Sequence, residues 1–498
     1  MTGARAPVEP GADVDVLIVG AGPAGLALAC DLARRGVAFR LVERRERPLI
    51  ASRGKGLQPR TLEVLEDLGV LPDILRLSAA YPPMRTLQGH AVLEERPFAG
   101  TFEATPDVPY PNMLMAAQWH TEAVLRARLT ALGGGVETGV AFTTLVQDAD
   151  GVTALLATTS GAQTVRARYL VGADGARSPV REALGIAFRG EALEGPRYMF
   201  GDVILEGLDR EAWSTWRGAA GMLGLCPLPH TDRFQLMISL RPGEDPAPDL
   251  ETVRALVKAR SERDDIHVVS VEWLSVFAPS LALAEHYGVG RGFLIGDAAH
   301  VHPPTGAQGL NTSIQDAYNL GWKLALVVDG AAPRLLETYE EERHPVGRSV
   351  LSLVAGLSGA SSGLSVRGRA TQQLDLTYRG SRLARQGGEP GAVAAGDRAP
   401  DAPYAAAAGP GRLFEAFQGP HFTLLLFGAA PDQVGMDGLP VRTVRLPAAG
   451  PAALAYAITA DGLVLVRPDG YLAIHDAKPT PDAVARWFAE VLDEAHAA

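Results

Sequence analysis

From Val14 to Gly36 an apolar run (Val16, Leu17, Ile18, Val19) gives way to a cluster of glycines. An alanine- and leucine-rich stretch of helical spacing follows and stops at Gly36. Phe39 to Val42 then reads as a second strand. Strand, helix and strand in that order predict a parallel sheet with a right-handed crossover, the opening of a nucleotide-binding domain. Further along, Tyr198 to Leu205, Arg233 to Leu240 and His267 to Phe277 alternate apolar and polar positions between loops that carry Pro and Gly. That is the pattern of half-buried antiparallel strands, and it predicts a second domain. Helical spacing resumes over Leu310 to Val328 and Arg334 to His344, before a stretch rich in Gly and Ser from Ala355 to Gly363. Around Gln386 to Pro410, Gly, Ala and Pro dominate and mark a linker or boundary. Beyond it, Phe422 to Phe427 and Leu463 to Val466 read as buried strands, Pro468-Asp469-Gly470 as a turn, and Pro481 to Ala495 as a closing amphipathic helix.

Composition narrows the function. A chain of 498 residues with 47% hydrophobic content can bury two or three cores. Its 46 basic and 57 acidic residues leave a net charge of -11, a field that repels nucleic acid and anionic membranes, so neither is an expected partner. Cys30 and Cys226 each stand alone, which argues against a metal or redox pair and fits a reducing cytoplasm. The segment Met1 to Asp13 lacks the apolar core of a signal peptide and reads as a disordered tail, and no apolar run reaches the ~18 residues of a membrane span.

Candidate chemistry begins at Gly20-Ala21-Gly22-Pro23-Ala24-Gly25, a G-x-G-x-x-G pattern placed after a strand and at the opening of a helix. Gly20 permits the turn, Gly22 lets backbone amides approach a pyrophosphate, and Gly25 allows close packing of helix on strand. Glu43, followed by Arg44, ends the second strand 18 residues beyond Gly25, where an acid hydrogen-bonds an adenosine ribose. A carboxylate there favours a free 2'-hydroxyl, as in FAD or NAD, over a 2'-phosphate.

Two later motifs select the nucleotide. An apolar strand runs into Gly172-Ala173-Asp174-Gly175-Ala176-Arg177-Ser178, and another, Phe293-Leu294-Ile295, ends in Gly296-Asp297-Ala298-Ala299-His300. Pro303-Pro304-Thr305-Gly306-Ala307-Gln308-Gly309-Leu310-Asn311 then precedes a long helix. The three motifs in this order resemble the class A flavoprotein monooxygenases, the family of p-hydroxybenzoate and phenol hydroxylases, over about Asp15 to Val346. Ser52-Arg53-Gly54-Lys55-Gly56-Leu57-Gln58-Pro59-Arg60-Thr61 adds a likeness to the bacterial aromatic polyketide hydroxylases, and Gln118 matches a family position that contacts the flavin.

That resemblance implies an α/β chain. A Rossmann-like, glutathione reductase-like FAD-binding domain would comprise residues 14–80, 110–186 and 288–385, and an antiparallel-sheet substrate domain residues 81–109 and 187–287. A thioredoxin-like C-terminal domain would comprise residues 396–498. It implies non-covalent FAD, NADPH or NADH as a transient reductant, and O2 as co-substrate. It also implies a small aromatic substrate, phenolic or polycyclic polyketide, that attacks a flavin C4a-hydroperoxide. Asp297 would accept hydrogen bonds from ribityl hydroxyls, and Arg53 would sit near the pyrophosphate or isoalloxazine. The helix opening at Gly309, Leu310 and Asn311 would face the flavin pyrimidine edge, and Asp174 would lie near flavin and nicotinamide. The backbone at Pro303 and Pro304 would flank the reacting edge of the ring.

Blander or different readings stand beside these. His300 and His302, two apart without a carboxylate or cysteine cluster, make a poor metal site, and no metal is expected. Trp213 and Trp216 do not meet the Trp-x-Trp-x-Ile-Pro pattern of flavin halogenases. Phe200 and Phe277 are candidates to line a substrate pocket, although such residues also build ordinary core. The C-terminal unit holds no cysteine, which excludes a dithiol function and leaves a structural or subunit-contact role, with homo-oligomer formation left open. Baeyer-Villiger oxygenation of a ketone is the rival within catalysis, and a non-catalytic flavin-bearing, aromatic-binding protein is the rival outside it.

Overall fold

The computed structural model describes residues 14–192, 196–303, 305–359, 368–406 and 409–492. The N-terminal tail, Pro304, part of the Gly- and Ser-rich stretch and the residues beyond 492 at the end of the expected closing helix lie outside the described residues; the helix itself spans Ala483–Leu492. The strand Val14–Val19 sits at the centre of the principal sheet, with Gly161–Gly172 parallel on one side and Phe39–Glu43 parallel on the other. Gly292–Leu294 and Glu137–Thr138 extend the parallel set outward. Val16, Leu17 and Ile18 are completely buried, so the strand, with helices packed on its sheet, needs an unbroken apolar run in place of alternation. One such helix, Pro23–Arg34, packs between Gln118–Ala131 and Gly309–Val328. The pairings Val19 with Gly172, Val19 with Val42 and Gly172 with Leu294 bring the carboxyl ends of the four strands to one edge. A site is expected at such an edge.

The second sheet has seven strands, in the order His267–Phe277, Arg197–Glu206, Arg233–Leu240, Gly221–Pro227, Trp213–Gly218, Met84–Gln88 and Ala91–Arg96. Alternation divides its two faces. Met199, Val203, Leu236, Ile238, Leu223 and Leu225 form an apolar core with Val253 and Val257 of the helix Leu250–Ser261. Tyr198, Phe200, Asp202, Gln235 and Met237 alternate with these residues and therefore belong to the opposite face.

A third sheet runs in the order Arg385–Gly387, Leu472–Asp476, Gly462–Val466, Phe422–Phe427 and Val441–Leu446. Its first strand falls within the stretch read as a linker, and pairing with Leu472–Asp476 gives that short polar segment its order. The helix expected over Arg334 to His344 instead follows a short turn of 3-10 helix and spans Glu337–Gly359, continuing through Pro345. Burial decides this: Val346, Val350 and Val354 recur at helical spacing and pack against Tyr378 and Tyr471.

The third sheet docks on the first unit through apolar and ionic contacts. Phe422 meets Trp322 edge to face at 5.6 Å and Phe488 at 4.9 Å. Beside them Glu342 accepts from Arg467 Nη1 at 2.6 Å, from Lys323 Nζ at 2.8 Å and from Asn319 Nδ2 at 2.7 Å, and Arg467 Nε reaches Asp469 Oδ1 at 2.9 Å. Burial alone would raise the Glu342 carboxyl, but Arg467 and Lys323 hold it below the usual range, while burial lowers Lys323 to about 8. Arg467→Met leaves two buried carboxylates, Glu342 and Asp469, to share one buried cation, Lys323, and is expected to cost about 3 to 5 kcal/mol in denaturant unfolding. A loss under about 1 kcal/mol would show that the network does not anchor the unit.

Candidate active site

The glycine turn is built by steric exclusion at two positions and by open space at a third. Gly20 has φ +105°, and a Cβ there would meet the Ala173 carbonyl oxygen at 2.4 Å; one at Gly25 would meet the Gly20 carbonyl oxygen at 2.0 Å. A Cβ on Gly22 would meet nothing within 4 Å. Gly22 is also the N-cap of Pro23–Arg34 and brings no capping side chain, so the first amides of this helix are left for another acceptor. The Ala21 amide donates to Glu43 Oε2 at 3.1 Å and Arg126 Nη2 donates to the Ala21 carbonyl at 3.1 Å, so the turn is braced from both sides. Glu43 also accepts from the Arg45 amide at 3.0 Å, and Arg44 is exposed beside it.

The other motifs converge on this edge. Gly296, at φ +61°, lies against Ala24, so the exposed Asp297 follows directly on the glycine helix. Asp316 fixes that turn from below: its Oδ2 accepts from the Gly296 amide at 3.1 Å and lies 2.6 Å from His300 Nε2, while Oδ1 accepts from Arg343 Nε at 2.7 Å. Burial would raise the Asp316 carboxyl, but Arg343 and His300 keep it below the usual range. His300 is therefore a partner of a buried acid, and the described residues hold no cluster of three or more His, Cys, Asp or Glu able to bind a metal. Burial lowers the His302 imidazole, whose Nδ1 lies 2.8 Å from the Pro303 carbonyl and whose ring adjoins Gly309. The Asp174 backbone lies against Gly20, and its carboxyl, raised by burial, accepts from the Val180 amide at 3.1 Å.

The segment from Ser52 to Gln58 closes the site. Asn311 accepts from the Gln58 amide at 2.8 Å and donates to the carbonyls of Gly56 at 2.8 Å and Ala307 at 2.7 Å. Gln118 accepts from the Gly54 amide at 2.9 Å and donates to Glu122 at 2.9 Å. The side chains of Asn311 and Gln118 are thus engaged in holding loops. Leu310 lies beside Gly54, and Arg53 is exposed with its guanidinium 5.8 Å from the Trp273 ring.

Phe200 and Phe277 sit apart from this edge, on the second sheet, with ring centroids 5.3 Å apart and Tyr198 at 6.4 and 6.3 Å from the two. Sequence reading missed Tyr198, Arg126, Asp316 and Arg343. The alternation of the strand Arg197–Glu206 could have found Tyr198, which shares a face with Phe200. Cys30 and Cys226 are buried thiols, the first pushed up to about 12 by burial, and neither is a nucleophile.

These residues fit FAD. Gly22 leaves room beside unclaimed helix amides, Glu43 supplies acceptors at the end of the second strand, Asp297 is exposed, and the Gly309–Val328 helix opens nearby. A dinucleotide edge of this kind joined to an aromatic-bearing antiparallel sheet is the arrangement of a flavoprotein. Residues 13–354 match the FAD binding domain family, and residues 393–494 match the aromatic-ring hydroxylase C-terminal family. The chain belongs to the FAD-dependent aromatic-ring monooxygenases. It is 41% identical over 479 residues to a flavin-dependent monooxygenase of Mycobacteroides abscessus, covering 92% of this chain and 96% of that one. It is 40% identical over 347 residues to a rifampicin monooxygenase of Streptomyces venezuelae, covering 68% and 69%. Among solved structures, the ternary complex of aklavinone-11 hydroxylase with FAD and aklavinone superposes with a TM-score of 0.82 at 28% identity, over 97% of this chain and 99% of that one. No helix among the described residues is long and apolar enough to cross a membrane.

Two glycine substitutions separate binding from packing. Gly22→Val should fold with an unchanged thermal midpoint yet weaken FAD binding about tenfold or more, equivalent to ~1.4 kcal/mol. Gly25→Ala should destabilise the protein itself by about 1 to 3 kcal/mol, the usual cost of overpacking. Full FAD affinity in Gly22→Val would remove the pyrophosphate from this turn.

Proposed function

We propose that this monooxygenase hydroxylates a polycyclic phenolic or polyketide substrate, using non-covalently bound FAD, NADPH or NADH as reductant and O2 as co-substrate. The observation that carries the substrate class is the aromatic surface of Tyr198, Phe200 and Phe277, which shares a sheet face with Asp202 and Gln235, the two residues that grip the segment before Arg53. Relatives named for rifampicin and aklavinone support it. Bound flavin supplies hydride acceptance and oxygen activation. The chain binds, orients and excludes water. In this reading Gly20, Gly22, Pro23, Ala24 and Gly25 cradle the pyrophosphate, Glu43 and Arg44 serve the adenosine end, and Asp297 receives ribityl hydroxyls. Arg53, Gln118, Asp174, Pro303, Gly309, Leu310 and Asn311 shape the flavin pocket, the last through the loops it ties. The amides opening Gly309–Val328 favour negative charge at the flavin pyrimidine edge.

The division into FAD-binding, substrate-binding and C-terminal units is supported by the three largest sheets, except that Arg385–Gly387 joins the third sheet from outside residues 396–498. A thioredoxin-like reading of the last is supported by its strand order, in which Phe422–Phe427 is parallel to Val441–Leu446 and antiparallel to Gly462–Val466, itself antiparallel to Leu472–Asp476.

Anaerobic mixing of the FAD-loaded protein with NADPH and a panel of naphthols, anthraquinones and phenols tests the activity. The long-wavelength flavin band should bleach, faster with a true substrate, and oxygen should then yield a phenol or quinone containing one labelled oxygen atom. A band that never bleaches leaves only an aromatic-binding flavoprotein, and a lactone product assigns ring insertion instead. Asp297→Ala should lose FAD during purification, and Glu43→Ala should weaken it by about 1.5 to 3 kcal/mol, the value of a hydrogen bond to a charged group. A fully yellow Asp297→Ala protein would sink the ribityl assignment.

A further inference from the structure

The backbone of Ser52 is gripped on both sides of its Cα by side chains of the second sheet. Its amide donates to Asp202 Oδ2 at 2.9 Å, and its carbonyl accepts from Gln235 Nε2. Asp202 and Gln235 are direct partners on adjacent antiparallel strands, and Trp273 pairs with Asp202 on the other side. Directly paired residues share a sheet face, so Trp273, Asp202 and Gln235 form one row across it. The Arg53 guanidinium lies over Trp273, one residue beyond the gripped Ser52. Phe200 stands two residues before Asp202, on the same strand and face, so the row beside the clamp carries the aromatic surface.

A carboxylate is a demanding choice for such a grip. Asp202 is wholly buried, and no cation among the described residues lies within ion-pair distance of it. Lys55, from the gripped segment, and Arg233, from the neighbouring strand, act on it only through space, and Arg233 is itself paired with Glu272 at 3.0 Å. A merely structural tether could use a neutral acceptor. A charged one binds an amide more strongly and can be switched.

We propose that Asp202 and Gln235 are positioning residues that set Arg53 against the flavin, and that through this clamp the aromatic substrate face and the flavin site move as one unit. The proposal rests on the flavin reading of Arg53. Burial pushes the Asp202 carboxyl up to about 6 against the opposing effects of Ser52, Arg233 and Lys55. Above that pH the clamp is charged and tight. Below it the protonated acid is a weaker acceptor, and Arg53 is released.

The test is a double-mutant cycle on FAD affinity, read by flavin fluorescence in apoprotein titrated with FAD, above and below about pH 6. In the wild type, Arg53→Ala should weaken FAD about tenfold, and affinity should fall as pH drops through about 6. In an Asp202→Leu background, Arg53→Ala should change affinity less than about twofold, because the arginine is no longer held in place. Asp202→Asn is the neutral isostere of the protonated acid, so at every pH it should show the weaker FAD affinity and the reduced Arg53 contribution that the wild type shows below about pH 6, with no pH step. Gln235→Leu gives the same cycle where Asp202→Leu does not fold. Additive effects of Arg53 and Asp202 overturn the clamp, as does a pH step that survives in Asp202→Asn or an Arg53→Ala protein with normal affinity. Additivity in a protein that binds FAD and bleaches with NADPH overturns the clamp alone. A chain that binds no FAD overturns the flavin reading and the clamp with it.

Discussion

The close approach of three backbone segments at the glycine turn is the constraint on which the remaining architecture depends. The Gly25 Cα faces the Gly20 carbonyl, and Gly20 faces the Ala173 carbonyl, at distances that no Cβ could share. This contact lets the central strand pass into its helix without a gap, and sets the helix amides over the carboxyl edge of the sheet. Because Val19 is paired in register with both Gly172 and Val42, the loops after those strands must emerge beside the turn. Glu43 and Asp174 reach the site through that register. Asp297 joins them because Gly172 pairs with Leu294 and because Ala24 packs on Gly296.

What was legible in the chain was what neighbouring residues determine among themselves. The apolar run before Gly20, the glycine spacing, and the alternation in Arg233–Leu240 each follow from local periodicity, and each produces the element expected. Asp202 and Gln235 could not be read in this way. Within an alternating strand they look like ordinary outward-facing polar residues, and their partner, Ser52, lies 150 and 183 positions away in the chain. Asp316 was likewise hidden in a helix, its partners His300 and Arg343 supplied by separate segments. Asn311 and Gln118 show the converse limit: motif position marks them out, but only geometry reveals that their polar atoms hold the backbone of Gly54, Gly56, Gln58 and Ala307.

The same division of labour governs the docking of the third sheet. Phe422, set among Trp322, Trp487 and Phe488, removes apolar surface from water, which is where affinity comes from. The neighbouring group of Lys323, Glu342, Arg467 and Asp469 gains little net energy, since desolvation offsets most of its Coulombic attraction. Its effect is on geometry. Any misplaced docking that leaves one member unpaired in the interior is penalised by the full desolvation of that charge, so the aromatic contact supplies strength and the ionic group selects the orientation.

A related argument applies to the segment from Ser52 to Gln58. It belongs fully to neither of the first two sheets. Asp202 and Gln235 hold it from the substrate-side sheet, Gln118 from the helix opening behind the glycine turn, and Asn311 from the first turn of the long helix. Each attachment uses backbone amides and carbonyls that would otherwise need water or a strand neighbour, so loosening any one leaves a buried polar group unsatisfied. Arg53, exposed at the middle of this suspended segment, is therefore placed by both halves of the molecule together. A displacement of the sheet that carries Phe200 must be transmitted to it, because Phe200 and Asp202 share one strand and one face.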